Sequence, residues 1–373
     1  MFVLNTYARL PVRFVKGKGI YLYDDKGKRY IDLISGIGVN VLGYGDEGML
    51  RVIKEQSEAL LHISNLFENP WQEELAEKLI NLFWTKGTVF FCNSGTEANE
   101  AGIKFLRKYW REQGKDRYRI ITFHNSFHGR TYGSLSATAQ HKLHRGFEPL
   151  LEGFDYAEFN DIKSVEKLLN DKTAGIMLEL IQGEGGVIEA REEFIEGIRR
   201  ICEREGILLF IDEVQTGVGR TGKFFAYEHF GLKPDIVTLA KGLGGGIPIG
   251  AVILREAVGH CIKPGDHGST FGGNPLACKV SLYVVGRVVS MLGHIEEMGN
   301  YLRKKLNSIS SVKGKGLMLG LPLGKSCKEV LLKLLERGIV ANCTGNGVLR
   351  LLPPYIIDEN VIEEAFENMK KII

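Results

Sequence analysis

The 373-residue chain lacks closely spaced cysteine pairs. Its six cysteines are scattered along the sequence: Cys92, Cys202, Cys261, Cys278, Cys327 and Cys343. Zinc sites and disulfide frameworks use short, repeated cysteine spacings, so this distribution argues against both. We expect no bound metal, and we interpret the cysteines as buried thiols of a protein in a reducing compartment.

Long apolar runs and blocks of like charge are also missing. No stretch of 18 apolar residues occurs, and the N-terminal MFVLNTYARLPVRF does not have the charged and then apolar segments of a signal peptide. The net charge is only +3, without a run of five like charges, which indicates neither a nucleic-acid stripe nor a polybasic membrane patch. We therefore expect a cytoplasmic protein whose partners are small molecules.

The composition is otherwise that of an ordinary globular protein. Hydrophobic residues make up 44% of the chain and charged residues 25%, and the length suits about two domains. Glycine is abundant, at 46 residues, and it clusters at the motifs described next.

Two short apolar runs each end in a charged residue. Residues 207–211 and 236–240 have the length and β-branched content of buried strands, and they are followed by Asp212 and Lys241. Because ligands of open α/β sheets bind outside the carboxyl ends of the strands, both side chains are expected at one crevice. There a lysine can form a Schiff base with pyridoxal phosphate, while a carboxylate keeps the pyridinium nitrogen protonated. The alternative is a solvated ion pair.

A second informative stretch joins a β-rich run to a helical pattern. Ser94, Gly95 and Thr96 lie at this junction, and apolar residues at helical spacing follow from Ala98 to Leu106. Free backbone N–H groups and hydroxyls at a helix N-terminus attract an anion, so a phosphate can bind there. The alternative is that Ser94 or Thr96 only caps the helix.

Phe127, His128 and Arg130 form a tight group after another strand-like run. An aromatic ring can stack on a planar cofactor, and an arginine can bind a carboxylate through two parallel hydrogen bonds. Core packing of Phe127, a surface ion pair of Arg130 and an ordinary hydrogen-bonded His128 are the alternatives.

Residues 217–222, GVGRTG, fit the dinucleotide-binding pattern G-x-G-x-x-G, and residues 217–223 fit a phosphate loop except at its last position. A dinucleotide loop leads directly from a strand into an amphipathic helix, whereas DEVQT intervenes here and the aromatic KFFAYEHFG follows. A phosphate loop of the G-x-x-x-x-G-K type needs Ser or Thr next, and Phe224 stands there. We interpret these glycines as a sharply turning loop, beside the cofactor.

The order of the predicted elements indicates an α/β fold. Strand-like and helical segments alternate from residue 88 to residue 258, which favours a doubly wound, mostly parallel sheet flanked by helices. Elements on a smaller scale follow residue 280, and a hairpin is predicted around residues 25–28. We expect a large domain at residues 46–258 and a small α/β domain made from residues 1–45 and 259–373.

Taken together, these stretches resemble the class III (ω-amino acid) aminotransferases, which have the pyridoxal-phosphate-dependent transferase fold type I. The resemblance runs nearly end to end and is closest to the members that act on acetylornithine. The matching blocks are NTYARLPV, SGIGVN, NSGTEANE, FHNSFHGRT, IQGEGGV, IDEVQTGVGRTG, LAKGLGGGIPIG, HGSTFGGNPLAC and VLRLLPP.

The resemblance implies a role for each residue around the cofactor. Lys241 is the Schiff-base lysine and Asp212 the pyridinium partner; Val214 packs on the ring face opposite Phe127, and Gln215 reaches the phenolic oxygen. The phosphate is bound by Ser94, Gly95 and Thr96, and by Thr270 of the neighbouring subunit. Ser269, beside Thr270, is placed with the substrate. The family therefore implies a homodimer with shared active sites.

The resemblance also implies how substrates bind. Arg130 holds the carboxylate far from the reacting amine, and Arg350 holds the α-carboxylate of glutamate or 2-oxoglutarate. Glu184 pairs with Arg350 when the donor brings no carboxylate there, because an unpaired buried guanidinium would cost about 3–5 kcal/mol. The expected reaction is reversible transfer of the terminal amino group of N2-acetylornithine to 2-oxoglutarate, a step of arginine biosynthesis.

Two departures bear on the donor and on packing. Gly36 aligns with a tyrosine by which ornithine aminotransferases bind free ornithine, so an N-acylated donor is favoured. Tyr44, Gly45, Asp46 and Glu47 replace the family's usual His-x-His-Pro, where we expect adjusted packing. N-succinyl-diaminopimelate, ornithine and 4-aminobutyrate remain alternative donors; a pyridoxal-phosphate aminomutase or a nucleotide-binding protein are the alternatives from other classes.

Overall fold

The computed structural model describes residues 2–373 of the chain. Its strands are β1 (Phe14–Lys18), β2 (Tyr21–Asp24), β3 (Arg29–Asp32), β4 (Gly87–Cys92), β5 (Arg119–Phe123), β6 (Phe154–Ala157), β7 (Thr173–Leu178), β8 (Ile181–Gln182), β9 (Ile188–Glu189), β10 (Leu208–Asp212), β11 (Ile236–Leu239), β12 (Gly250–Arg255), β13 (Lys313–Lys315), β14 (Met318–Pro322), β15 (Ile339–Val340), β16 (Asn342–Cys343) and β17 (Val348–Leu351). Its α-helices are α1 (Ser35–Gly38), α2 (Glu47–Ala59), α3 (Pro70–Leu82), α4 (Gly95–Glu112), α5 (Tyr132–Ala137), α6 (His141–His144), α7 (Ile162–Leu168), α8 (Glu192–Glu205), α9 (Glu256–Gly259), α10 (Pro275–Leu306), α11 (Cys327–Glu336) and α12 (Glu359–Met369).

A seven-stranded sheet forms the centre of the molecule, in the order β4-β12-β11-β10-β7-β5-β6. The pairs from β11 through β10, β7 and β5 to β6 are parallel, and β12 runs antiparallel to β11 and β4. The predicted α/β class with a mostly parallel sheet is therefore confirmed. All residues of β7, β10 and β11 are buried, which is why their sequences are continuous apolar runs rather than alternating ones.

Helices α4 and α8 cover the sheet through apolar stripes at helical spacing. The buried residues of α4 include Ala98, Ala101, Gly102, Phe105 and Leu106. A Cβ atom at Gly102 would lie only 2.5 Å from the Phe210 ring, so glycine allows the helix to approach the sheet closely. Helix α8 ends at Gly206, whose φ of 60° is the left-handed conformation typical of a helix C-cap.

Smaller sheets bring the two ends of the chain together. Strands β1, β2 and β3 form one sheet with β15, and Ile31 lies beside Ile339 in parallel register. The predicted hairpin around residues 25–28 joins β2 to β3. A further sheet has the order β13-β14-β17-β16. The domain limits at residues 46 and 258 stay a prediction, which the pairing of β3 with β15 supports.

The expectation that all six cysteines are buried thiols is wrong, and the cysteines therefore no longer support a reducing compartment. Cys327 and Cys343 form a disulfide with their Cα atoms 6.1 Å apart, while the other four are free. The two cysteines are 16 residues apart, a separation that the usual short cysteine spacings do not include, so sequence spacing did not indicate this bond. The physical reason is that α11 packs on β16, which places the first residue of the helix beside the strand.

The segment that departs from His-x-His-Pro is built into the packing of α2. Asp46 caps α2 by accepting a hydrogen bond from Met49 N at 2.8 Å, and it also accepts from Tyr283 Oη at 2.7 Å and Arg287 Nη1 at 3.0 Å. Tyr44 Oη donates to Asp32 Oδ2 at 2.6 Å. These contacts are the adjusted packing expected from the sequence, and they fasten α2 to α10.

Helix α10 is the one helix in the described part of the chain that is long and apolar enough to cross a membrane, since an 18-residue window in it has a mean hydropathy of 1.5. It packs against α2, α3 and α12, and core helices of globular proteins commonly have such a composition. Its composition is therefore weak evidence for a membrane span.

Candidate active site

The two charged residues at the strand ends meet as the sequence predicts. Strand β10 ends at Asp212, which lies beside Thr238 of β11 in parallel register, and Lys241 follows β11 after one residue. Both residues line a cavity of about 420 Å³. Asp212 is buried, so a solvated ion pair is wrong for it.

Asp212 is held by three donors. Its Oδ2 accepts hydrogen bonds from His128 Nδ1 at 2.7 Å and Asn99 Nδ2 at 2.8 Å, and its Oδ1 accepts from Val214 N at 3.0 Å. These hydrogen bonds fix the orientation of the carboxylate in the wall of the cavity.

Lys241 has a strained backbone and a shifted amine. Its φ is 45°, a left-handed conformation that is uncommon for residues other than glycine and that often marks a functional position. Burial lowers the pKa of the Lys241 amine to about 8, with the charge of Arg350 acting in the same direction. A substantial neutral fraction near pH 8 makes this amine a nucleophile and a proton carrier.

The N-terminus of α4 opens onto the same cavity. Ser94 is its N-cap and accepts a hydrogen bond from Glu97 N at 3.3 Å. Its contact with a phosphate stays a prediction. Gly95 approaches Val214 so closely that a Cβ atom would lie 2.6 Å from Val214 Cγ1. Thr96 Oγ1 accepts from Arg130 N at 3.1 Å, which ties the helix to the arginine-bearing loop.

Phe127 and Val214 both line the cavity, and Arg130 lies at its exposed rim with its guanidinium carbon 5.4 Å from the centre of the Phe127 ring. Glu179 Oε2 accepts a hydrogen bond from Phe127 N at 2.9 Å and so fixes the position of this residue. Burial raises the pKa of Glu179 to about 7.

Arg350 adjoins the cavity through Gln215. Its guanidinium is fully buried; Nη1 donates to Glu184 Oε1 at 2.5 Å and to Gln215 Oε1 at 3.0 Å, and Nε donates to Asn342 Oδ1 at 3.2 Å. Nη2 is buried without a hydrogen-bond partner among residues 2–373. Arg350 therefore has one carboxylate partner, Glu184, and an unused donor at Nη2. This arrangement suits the binding of a substrate carboxylate.

Ser269 and Thr270 lie outside the Lys241 cavity of their own chain. They border a neighbouring cavity, where Ser269 Oγ accepts a hydrogen bond from Asn93 Nδ2 at 3.1 Å. Thr270 is exposed. One chain alone therefore does not bring these two residues to the other predicted site residues.

Two sequence interpretations need correction. Residues 217–223 do form a turning loop, but they do not line the cavity. Gly219 and Gly222 pack on α10 instead, and the buried Arg220 donates from Nη1 to Pro353 O at 2.7 Å. His128 is hydrogen-bonded as an ordinary histidine would be, but its partner is Asp212, so it belongs to the site.

Asn99 and Glu179 were missed by the sequence reasoning. Asn99 lies in the interior of α4, where a polar residue on the buried face is its only signal. Glu179 directly follows the fully buried β7, so a single carboxylate in an apolar run was the available sign.

The residues present fit pyridoxal phosphate. The fixed carboxylate of Asp212 suits a protonated ring nitrogen, and Phe127 and Val214 can enclose a planar ring. Gly95 leaves backbone room at a helix N-terminus, which suits a phosphate. Lys241 supplies the amine that an aldehyde requires.

Comparisons with known proteins agree with this geometry. The family model "Aminotransferase class-III" matches residues 3–373. The acetylornithine aminotransferase of Aquifex aeolicus is 59% identical over all of both chains, and that of Methanocaldococcus jannaschii is 45% identical over 99% of this chain and 96% of its own.

Solved structures of two differently named enzymes have the same fold. The ornithine aminotransferase of Toxoplasma gondii has a TM-score of 0.95 at 31% identity, over 99% of this chain and 92% of its own. The N-acetylornithine aminotransferase of Stenotrophomonas maltophilia has a TM-score of 0.86 at 34% identity, over 98% and 96%. Backbone similarity alone thus does not separate the two donors.

Proposed function

Because the chain belongs to the class-III aminotransferase family and depends on pyridoxal phosphate, we propose that it transfers the terminal amino group of N2-acetylornithine to 2-oxoglutarate. The products are N-acetylglutamate semialdehyde and glutamate, and the reaction is reversible. The relatives named as acetylornithine aminotransferases support this donor, and the carboxylate site around Arg350 supports 2-oxoglutarate as the acceptor. The activity is a step of arginine biosynthesis.

The proposal depends mainly on the pairing of the buried Arg350 with the partly exposed Glu184. The Arg350 guanidinium is fully buried, whereas the side chain of Glu184 keeps 31% of its surface exposed. Glu184 can therefore swing toward solvent while Arg350 stays in place. Without a substrate carboxylate, Glu184 balances a buried charge that would otherwise cost about 3–5 kcal/mol. With glutamate or 2-oxoglutarate, the α-carboxylate takes its place and also uses the free Nη2.

Arg130 binds the carboxylate at the far end of either substrate. It is exposed at the rim, and the link from its backbone N to Thr96 Oγ1 holds its loop over the cavity. Acetylornithine enters with its terminal amine toward Lys241, which leaves its only carboxylate at Arg130. The acetyl group has no charge to place at Arg350, and Glu184 remains paired there.

Lys241 moves the proton in each half-reaction. Pyridoxal phosphate, when bound, would supply an electron-accepting ring and an aldehyde carbon that carries the amino group from donor to acceptor. Asp212 keeps the ring nitrogen charged, and the Lys241 amine takes the proton from the carbon that bears the reacting amine. Its lowered pKa, about 8, lets it accept and return a proton near neutral pH.

We propose that the active enzyme is a homodimer that completes each site with Ser269 and Thr270 of the other chain. Large apolar side chains are exposed beside these residues: Leu66 is 89% exposed, Phe67 65% and Phe271 62%. Asn65 Nδ2 donates to Ser269 O and Gly272 O at 3.0 Å, so both segments form one surface. Exposed apolar clusters of this kind are typical of protein interfaces. The relatives are biosynthetic enzymes, and a cytoplasmic location is part of the proposal.

Gly36 favours acetylornithine over free ornithine. Its φ is +64°, a conformation that larger side chains rarely adopt, and a Cβ atom there would lie 3.1 Å from Asn40 Nδ2. A tyrosine that helps bind the α-carboxylate and amine of free ornithine is therefore disfavoured at this position.

The test is amine transfer to 2-oxoglutarate from each candidate donor, compared by kcat/KM. We expect acetylornithine to exceed ornithine, 4-aminobutyrate and N-succinyl-diaminopimelate. A higher kcat/KM for free ornithine would contradict the proposed donor. An aminomutase would convert its substrate without consuming 2-oxoglutarate, so glutamate formation also separates that class.

A further inference from the structure

The hairpin that carries Arg350 is fastened by a disulfide. Strand β16 contains only Asn342 and Cys343 and lies at the edge of its sheet, next to β17. So short an edge strand gains little stability from its own pairing. Cys343 is joined to Cys327, the buried first residue of α11, so the covalent bond adds the restraint that the strand itself lacks.

The opposite face of this hairpin holds the guanidinium. Asn342 pairs with Arg350 and Cys343 with Leu349, and alternate residues of a strand point to opposite faces. The disulfide therefore restrains β16 on one face of the sheet, and the Asn342 side chain lies on the opposite face, toward Arg350. Asn342 Oδ1 accepts from Arg350 Nε at 3.2 Å, which orients the fork of Nη1 and Nη2.

The turn of the same hairpin contacts the loop that carries Glu184, the partner of Arg350. Asn346 Nδ2 donates to Gly185 O at 2.7 Å, and Gly185 directly follows Glu184. One hairpin thus contacts both members of the Arg350–Glu184 pair: the arginine through Asn342 and the glutamate's loop through Asn346.

We propose that the Cys327–Cys343 disulfide and Asn342 are positioning elements for the substrate α-carboxylate, because together they fix the Arg350 guanidinium for two-point binding. This inference rests on the proposed function only in taking Arg350 and Glu184 as the α-carboxylate site. A carboxylate held by two parallel hydrogen bonds depends on the angle of the guanidinium plane, so a loosened β16 weakens this contact. Acetylornithine does not use Arg350 and is unaffected.

The test compares the two substrates in variants of the whole enzyme. Asn342→Ala keeps the disulfide, and the double variant Cys327→Ser, Cys343→Ser removes it. In both we expect the KM for 2-oxoglutarate to rise about three- to tenfold, the range that corresponds to one lost hydrogen bond. The KM for acetylornithine should change less than twofold. Cys261→Ser, which removes a free cysteine outside the hairpin, is the matched control and should change neither.

Reducing the Cys327–Cys343 disulfide of the unaltered enzyme allows the two KM values to be compared without a mutation. Dithiothreitol supplies two electrons and two protons, becomes a cyclic disulfide, and leaves Cys327 and Cys343 as thiols. Thiol titration should show two new thiols per chain together with the same rise in KM for 2-oxoglutarate. The double serine variant should not respond to dithiothreitol.

A merely stabilising disulfide would give a different pattern. An unchanged KM for 2-oxoglutarate in Asn342→Ala would overturn the proposal. An equal rise of the KM values for 2-oxoglutarate and acetylornithine would also overturn it. Asn342→Ala decides the question even if the double serine variant folds poorly. Direct titration of 2-oxoglutarate binding makes the comparison without turnover. If another donor replaces acetylornithine, the proposed donor fails, but 2-oxoglutarate binding still tests the hairpin.

Discussion

At the residue scale, the site depends on how charges around Lys241 are balanced. Burial and Arg350 lower the pKa of its amine, whereas the charge of Glu184 acts in the opposite direction. Glu184 is therefore connected to the proton chemistry of the lysine as well as to the carboxylate of the substrate. This connection can be tested through pH.

The variant Glu184→Gln should lower the pKa of Lys241 below about 8. The reason is that Gln removes the negative charge that favours the protonated amine, while Arg350 remains. Because only the neutral amine attacks an aldehyde, the rate of pyridoxal phosphate uptake by the cofactor-free protein should reach its midpoint at a lower pH. The measurement is the absorbance change on cofactor addition across pH 6–10, a range of about two units on either side of pH 8. Glu184→Asp retains the charge and serves as the control. A midpoint that rises, or does not move, contradicts the prediction.

Sequence reasoning predicted that the residues at the strand ends would meet, but it did not predict which side chains bind Asp212. Asp212 and Lys241 follow apolar runs whose direction can be inferred, so their meeting was predictable. His128 and Asn99 reach Asp212 from a loop and from a helix interior, and only the packing of α4 on the sheet brings them there.

At the element scale, most helices and strands follow their sequence patterns to within a few residues. Helix α2 ends at Ala59, and the apolar residues that follow it, such as Leu61 and Leu66, are exposed rather than packed on the core. The disulfide could not be predicted, since it depends on the packing of α11 against β16. Asp46 shows the same limit: a cap could be inferred from sequence, but its contacts with α10 could not.

The variant Asp46→Ala should destabilise the protein more than loss of an ordinary cap. The cap alone contributes about 1 kcal/mol, and the hydrogen bonds from Tyr283 and Arg287 bring the expected loss to about 2–4 kcal/mol. The measurement is the free energy of unfolding by urea titration. Asp161→Ala, at the N-cap of α7, is the matched control because Asp161 accepts only from Lys163 N and Ser164 N there, and it should lose about 1 kcal/mol. Equal losses would show that the contacts with α10 contribute nothing.

At the scale of the whole molecule, the fold class, the order of the motifs and a small domain built from both chain ends were predictable, but the strand pairing that joins those ends was not. The pairing of β3 with β15 links residues about 300 positions apart, and contacts of such separation leave no periodic signal in the sequence. Assembly with a second chain was expected from the family resemblance at Ser269 and Thr270, and the exposed apolar residues beside them support it.

Leu66→Glu should convert the proposed dimer into monomers, because it places a charge in an apolar interface. Light scattering should give twice the 41.6 kDa chain mass for the unaltered protein and a single chain mass for the variant. Activity should fall with it, since Thr270 of the other chain is withdrawn. Leu332→Glu, at an exposed apolar position on α11, is the control and should remain dimeric. A fully active monomer would refute the shared site.

The central claim is that Lys241 carries the cofactor, with Asp212 facing its ring. The most direct measurement is borohydride reduction of the protein after addition of pyridoxal phosphate, followed by peptide mapping. The account predicts one pyridoxyl group per chain, on the peptide that contains Lys241, and none on that peptide in Lys241→Ala. A modification confined to another lysine, or no modification at all, would contradict it.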